Sequence, residues 1–132
     1  MASLLDRVLL QHANASEMDE FEEQMADTVI SNSLIHHLDR PQSGLETCRR
    51  LLREGGRLFV RDLARPDSEQ EVERLVSTYV GEESLAAQQL FRQSLHAAIT
   101  IDEVRQIVGG LGIAARHVQM TSDRHWTIDW IR

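Results

Sequence analysis

The sequence predicts an α/β protein with a mostly parallel sheet, helices packed on that sheet and an antiparallel hairpin at the carboxyl end. A β-branched strand pattern at residues 27–33 is followed by a helical pattern and then by a second strand at residues 58–63. This order is typical of a strand–helix–strand crossover between parallel strands. Two alternating segments, 114–121 and 125–131, flank a short polar turn and predict the hairpin.

Length and composition indicate a single domain over residues 1–132, which is long enough to bury a core. The net charge of −7 argues against a nucleic-acid partner, because phosphate binding needs clustered positive charge. No apolar run approaches the roughly 18 residues of a membrane span, and no signal-peptide pattern is found. From the absence of a long apolar run we expect no membrane partner. The lone Cys48 cannot form an intramolecular disulfide, so we expect a reducing, cytoplasmic location.

The first 26 residues carry weaker patterns. Residues 7–11 have an apolar centre that suits a short buried strand, or else continue a helix from Leu4. Met18, Phe21 and Met25 follow at helical spacing among acidic residues, which predicts a short amphipathic helix with a solvated acidic face.

The crossover is predicted in more detail. Residues 27–33 form a buried strand, Asp39 caps the next helix, and Pro41 lies in its first turn. Gly55 and Gly56 end that helix, and the continuous apolar centre of the strand at 58–63 indicates burial on both faces. The apolar stripe of the helix consists of Leu45, Cys48, Leu51 and Leu52.

Three further helices are predicted before the hairpin. Asp67 or Ser68 starts the first, whose buried stripe is Val72, Leu75, Val76 and Tyr79. The second, at about 83–98, is expected to bury Leu85, Ala86, Leu90, Phe91 and Leu95. A capping box from Thr100 to Glu103 opens the third, which Gly109, Gly110 and Gly112 unwind.

Small polar residues at the end of the first crossover strand are the leading candidates for a binding site. Ligands of open parallel sheets bind beyond the carboxyl ends of the strands, where Ser31, Asn32 and Ser33 would lie. Small side chains let a ligand approach the backbone, and Asn32 offers both a donor and an acceptor. Asn and Ser also end strands by favouring turns, and spacing alone does not decide between these interpretations.

Several motifs together resemble one family. The run Asp-Thr-Val-Ile-Ser-Asn-Ser-Leu-Ile-His-His-Leu at 27–38 is similar to the fourth-strand block of class I S-adenosylmethionine-dependent methyltransferases, and Gly-Gly-Arg-Leu at 55–58 is similar to the turn before their fifth strand. Segments 62–66, 94–98 and 122–125 also look like one branch of these proteins. The matches cover nearly everything after Asp27.

The resemblance implies an S-adenosylmethionine-dependent transfer of a methyl group to an unidentified small-molecule acceptor. It places Ser31, Asn32 and Leu34 beside the methionine part of the cofactor and Asn14 and Ala15 beside its adenine; it names no catalytic residue. The family's glycine-rich turn is missing, so we expect the carboxyl-terminal portion of a Rossmann-like fold that binds the cofactor weakly or not at all. The alternative is a catalytically inactive interaction module that folds through self-association.

Other polar residues have alternative interpretations. His36 and His37 are adjacent at a helix start and make a poor chelating pair, so no metal site is predicted. Asp62 and Arg65 lie at and beyond the carboxyl end of the second strand, where they could face a substrate or form a salt bridge or cap. Trp126 and Trp130 alternate with Ile128 along the predicted final strand and are expected to be packing residues.

The resemblance also raises a question of assembly. The family's first strand, which is missing here, would cover one edge of the strand containing Thr28, Val29 and Ile30. Either the segment 7–11 or a second copy of the chain could occupy that edge, which is apolar, β-branched and unpaired. We favour a homodimer.

Overall fold

The computed structural model describes residues 4–132, which form a four-stranded mixed sheet in the order β1–β2–β4–β3. The strands are β1 (Ala26–Asn32), β2 (Leu52–Leu63), β3 (Val118–Met120) and β4 (His125–Ile131). The helices are α1 (Pro41–Leu51), α2 (Glu69–Val80), α3 (Leu85–Ala97) and α4 (Ile101–Gly110). None of these helices is long and apolar enough to span a membrane. The predicted α/β fold class is confirmed.

The predicted topology is also confirmed. β1 pairs with β2 in parallel through the crossover helix α1, with Ile30 opposite Phe59. β4 pairs antiparallel with β2 on its other side, and the hairpin partner β3 lies at the far edge. The strand predicted at 114–121 is shorter than expected, because a 3-10 turn (Ala115–His117) replaces its first half.

The junction between α1 and β2 differs from the prediction. The helix ends at Leu51, and Leu52 already belongs to β2, so Gly55 and Gly56 do not end it. They lie instead in an irregularity of the β1–β2 register, where Gly55 has a φ of +77°. A bulge of this kind needs a glycine that tolerates left-handed backbone and a close approach of neighbouring chain.

Helices α1 and α4 cover one face of the sheet. Leu45 of α1 and Val104 of α4 pack there against Leu58 and Ile128 of the two central strands. Trp126 is fully buried in this cluster and Trp130 packs against it, as expected of packing residues. A smaller cluster joins α2 and α3 to Leu63.

The other sheet face is largely uncovered, so the predicted burial of β2 on both faces is wrong. Strand alternation puts every second residue on this side, and Ile30 is 75% exposed there. We call this surface the open face; it is formed by Thr28, Ile30, Asn32, Arg57, Phe59, Arg61, Asp129 and Ile131. β1 is therefore an exposed edge strand and not the buried strand that its composition predicted.

Several local predictions concerning helices also need correction. Asp39 does not cap α1, because the N-cap is Arg40 and it makes no side-chain cap hydrogen bond; Pro41 does occupy the first turn. In α3, Leu85 and Leu90 are 82% and 65% exposed, so only Leu95 of the predicted stripe is fully buried. The capping box is confirmed at Thr100, and the helix that it opens includes Gly109 and Gly110.

The amino-terminal predictions are wrong. Residues 7–11 form neither a strand nor a helix, and Leu9 is 87% exposed. The amphipathic helix through Met18 is replaced by turns, because Met18 and Gln24 adopt left-handed φ angles of +49° and +55° that a helix does not allow. This segment is held to α1 by the Arg50 guanidinium, which donates to three backbone carbonyls, those of Glu17, Met18 and Phe21.

Two glycine substitutions test the bulge. A Cβ at position 56 would lie 2.8 Å from the Asp27 carbonyl oxygen and 2.9 Å from that of Arg53, so Gly56→Ala should destabilise the fold by about 2 kcal/mol. Gly109 lies in α4 with no atom within 4 Å of such a Cβ, so Gly109→Ala should stabilise by about 0.8 kcal/mol. Urea unfolding of both variants measures the difference, and equal effects would contradict the assigned bulge.

Candidate functional site

The carboxyl ends of the parallel strands β1 and β2 meet at one edge of the sheet. Ser31 and Asn32 end β1, and the chain then turns sharply at Ser33, whose φ is +58°. The Ser33 N–H still donates to the Arg61 carbonyl at 3.0 Å, which ties the turn to β2. The predicted binding residues Ser31 and Asn32 therefore lie at the position where open sheets bind ligands.

A buried carboxylate organises the turn that follows. Asp62, near the end of β2, is completely buried. One oxygen accepts the backbone N–H of Ile35 at 2.6 Å, and the other accepts that of Leu63 at 2.8 Å. The second oxygen also lies 2.5 Å from Nδ1 of His36. We call the 3-10 turn Ile35–His37 the histidine turn; the Asp62 carboxylate links it directly to β2.

The same contact determines which nitrogen of His36 carries the proton. A carboxylate oxygen accepts hydrogen bonds, so Nδ1 must donate, and the neutral ring then has a lone pair on Nε2. The side chain of His36 is 4% exposed, and the ring of His37 lies beside it with centroids 4.0 Å apart. The carboxylate therefore fixes both the orientation and the tautomer of this ring.

A cavity of about 500 Å³ adjoins the end of β1 on the open face. It is lined by Ile30, Ser31, Asn32, Phe59 and Arg61. The Ser31 hydroxyl oxygen is buried and has no hydrogen-bond partner in the described part of the chain. A buried polar atom without a partner is costly, which makes Ser31 a candidate for contact with a bound ligand.

The other predicted cofactor-binding residues lie elsewhere. Asn14 lines a separate cavity of about 480 Å³ with His37 and Arg40, and that lining shares no residue with the cavity beside Asn32. Its side-chain oxygen accepts the Ser16 N–H at 2.9 Å, while Ala15 is half-buried. Leu34 is 41% exposed between β1 and the histidine turn. The structure thus brings Ser31 and Asn32 together and keeps Asn14 apart from them.

Polar residues farther along the chain form ion pairs. Arg65 pairs with Glu103 at 2.6 Å, which is the salt-bridge alternative of the sequence analysis. Across residues 4–132, no three His, Cys, Asp or Glu side chains are grouped so that they could hold a metal ion. Burial raises the pKa of the Cys48 thiol to about 11, so this cysteine is protonated and unreactive near neutral pH.

Asp62 is a candidate residue that the sequence analysis named without assigning its partner. Its side chain lies on the covered face of β2, on the same side of the strand as Leu58 and Val60. A charged residue within a buried strand can be recognised in the sequence, and it indicates a specific partner because a buried charge needs one. His36, 26 residues earlier, supplies it through the fold.

The carboxylate can be tested through stability. Asp62→Ala leaves two buried backbone N–H groups and the His36 ring without an acceptor, so we expect a loss of about 3 kcal/mol in the free energy of unfolding. Asp129→Ala removes an exposed carboxylate paired with Arg57 and is the control, expected to cost much less. Chemical denaturation of both variants measures this, and similar losses would show that Asp62 does not organise the turn.

Comparison with known proteins gives one family and a shared fold. Residues 2–60 match the model of a family described as a methyltransferase domain. A comparison with curated proteins gives no match. Among solved structures, a SAM-dependent methyltransferase from Aquifex aeolicus is similar with a TM-score of 0.61 at 13% identity, covering 96% of this chain and 56% of that chain. The YcgJ protein from Bacillus subtilis aligns at 17% identity over 92% of this chain and 67% of its own, with a TM-score of 0.42.

The present chain thus spans just over half the length of the Aquifex aeolicus structure. At this level of identity the likeness establishes the fold. The sequence match over residues 2–60 and the shared fold confirm that the chain resembles the class I S-adenosylmethionine-dependent methyltransferases.

Proposed function

We propose that this chain takes part in S-adenosylmethionine-dependent methyl transfer to a small-molecule acceptor, with the methionine part of the cofactor beside Ser31 and Asn32. The observation that carries the proposal is the end of β1, beside the parallel strand β2. There, a buried Ser31 hydroxyl without a hydrogen-bond partner in the described residues adjoins the exposed Asn32 amide. These groups offer the donors and acceptors that an amino acid moiety requires.

The residues present fit part of such a cofactor. When bound, S-adenosylmethionine supplies an activated methyl group on a sulfonium, so the protein contributes mainly position and exclusion of water. Ser31 and Asn32 would hold the amino acid end, and the Asp62 contact would keep the histidine turn fixed beside it. The first glycine of the chain is Gly44, after β1, so a glycine-rich turn before this strand is missing.

The missing glycine-rich turn affects the affinity that the chain could have for S-adenosylmethionine. In the resembling family, that turn and an acidic residue at the end of the family's own second strand contact the nucleoside and the methionine carboxylate of the cofactor. No glycine precedes β1 in the 132-residue chain, so the glycine-rich turn is absent there, which supports weak cofactor binding by the chain alone.

His36 is our candidate for the proton acceptor. Nδ1 donates to Asp62, so the lone pair of the neutral ring is on Nε2. The side chain is 4% exposed and does not line the cavity beside Asn32, so an acceptor hydroxyl or amine would have to reach the ring at the histidine turn, outside that cavity. Asp62 would orient the ring and stabilise the positive charge that develops on it. The chemical identity of the acceptor does not follow from these residues.

The alternative function is an interaction module without catalysis. The exposed edge of β1 and the uncovered open face favour it, because both offer surface to a further chain. This alternative predicts no response of the β1 end to cofactor.

Nuclear magnetic resonance separates the two functions. Titration of the ¹⁵N-labelled chain with S-adenosylhomocysteine, the demethylated product, should shift the amides of Ser31, Asn32 and Leu34 with a weak, submillimolar to millimolar affinity. Asn32→Ala should reduce the response, while Gln119→Ala, on the distant strand β3, should leave it unchanged. Shifts confined to residues away from the end of β1, or no shifts at millimolar ligand, would contradict the proposed site.

The proton position on His36 is a separate prediction. Long-range ¹H–¹⁵N spectra of the neutral ring should show the proton on Nδ1, as the contact with Asp62 requires. The exposed His37 makes no side-chain hydrogen bond within residues 4–132 and should show the ordinary mixture of tautomers that favours Nε2–H. A proton on Nε2 of His36 would exclude that nitrogen as the proton acceptor.

A further inference from the structure

Arg61 lies beside Asn32 at the carboxyl end of the parallel pair. The two residues are register partners in β2 and β1, so their side chains stand next to each other on the open face, on strands about 5 Å apart. Two residues earlier, on the same face, Ile30 is opposite Phe59. Both pairs line the cavity of about 500 Å³ at the end of β1, together with Ser31. The cavity thus has a polar end, formed by an amide and a guanidinium, and an apolar part.

The Arg61 guanidinium is held in place by His125 of β4. Its Nη2 lies 3.2 Å from Nδ1 of His125, and the Ser122 hydroxyl oxygen lies 2.7 Å from the same ring nitrogen. That hydroxyl oxygen accepts the Arg124 N–H at 3.2 Å, so its own hydrogen is left to donate to Nδ1. Because a guanidinium can only donate, Nδ1 is the acceptor of both bonds, and the ring proton is on Nε2.

The ring that holds Arg61 is therefore neutral. Desolvation, followed by the adjacent Arg61 and Arg124, lowers the pKa of His125, while Asp62 and Asp123 act in the opposite direction. The net lowering agrees with a ring that accepts two hydrogen bonds at Nδ1 and carries no charge near neutral pH. A neutral imidazole orients the guanidinium but leaves its positive charge unbalanced.

Arg57, on the same strand and the same face, has a different environment. Its guanidinium donates two parallel hydrogen bonds to the Asp129 carboxylate, at 3.0 and 2.8 Å. Across residues 4–132, the Arg61 guanidinium is bonded to neutral His125 in place of a carboxylate. Arg61 is half-buried, and a charge partly withdrawn from water is stabilised by a counter-ion. The two arginines therefore differ in the partner that each can still accept.

We propose that Arg61 is the carboxylate-binding residue of the cavity at the end of β1, an inference that rests on the proposed function and names the anionic group of its ligand. The remaining guanidinium N–H groups would donate to the two carboxylate oxygens, with the Asn32 amide beside them. One guanidinium balances the single charge of a carboxylate, whereas a phosphate dianion would need a further cation. The apolar part of the ligand would lie over Ile30 and Phe59. The carboxylate belongs either to the amino acid end of the cofactor or to the methyl acceptor.

Titrations of the ¹⁵N-labelled 132-residue chain, followed by nuclear magnetic resonance, test Arg61 with three probes. S-adenosylhomocysteine carries an amino acid carboxylate, 5′-methylthioadenosine has the same nucleoside thioether without it, and benzoate is an apolar carboxylate. Arg61→Gln keeps a donor but removes the charge, and it should raise the dissociation constant of at least one carboxylate roughly fivefold while leaving that of 5′-methylthioadenosine unchanged. Arg57→Gln, on the same strand and face but outside the cavity, is the matched control and should change none of the three.

The two carboxylate probes identify the source of the anionic group. A loss of S-adenosylhomocysteine affinity in Arg61→Gln assigns the residue to the cofactor carboxylate, and a loss with benzoate alone assigns it to the acceptor. Unchanged affinity for both carboxylates in Arg61→Gln, or an equal loss in Arg57→Gln, would overturn the proposal. The proposed function fails separately, if the unmodified chain shows no response to S-adenosylhomocysteine at the end of β1; the benzoate titration still decides the role of Arg61 in that case.

Discussion

The Asp62 carboxylate, buried near the end of β2, is the interaction on which the candidate site depends. It accepts hydrogen bonds from the Ile35 and Leu63 backbone and from the His36 ring. A buried carboxylate is costly to desolvate, and three donors offset that cost. Because two of them lie in the histidine turn, the carboxylate also determines how the chain leaves β1. The position of the histidine turn and the tautomer of His36 both follow from this one group.

The sheet around this site is covered unevenly. Helices α1 and α4 bury one face, whereas the open face and the outer edge of β1 are exposed. The same strand therefore has two distinct properties: its carboxyl end forms the candidate ligand site, and its outer edge offers unpaired backbone groups.

The crossover was predictable from the sequence because its signals agree. β-branched residues mark β1, Pro41 marks the start of α1, and the order of elements implies parallel strands. The first 26 residues were not predictable, because an apolar spacing over so few residues does not exclude turns such as those at Met18 and Gln24. Gly55 and Gly56 were assigned to a helix end because a bulge in a long strand has the same local composition.

The candidate site was predictable only in part. Ser31 and Asn32 follow from their place at a strand end, which is a local feature. The pairing of Asp62 with His36 is not local, since 26 residues separate them and only the crossover brings them together. The exposure of Ile30 likewise depends on which strands are present beside β1, which no pattern within 26–32 reveals.

Hydrogen exchange of the Ile35 amide tests the central role of Asp62 most directly. The amide lies in a short turn outside the sheet ladder, and its acceptor is a side chain. If the carboxylate organises the turn, this amide should exchange as slowly as those of the β1–β2 ladder, and Asp62→Asn should accelerate it selectively. Exchange at the rate of an exposed loop in the unmodified chain would contradict the account.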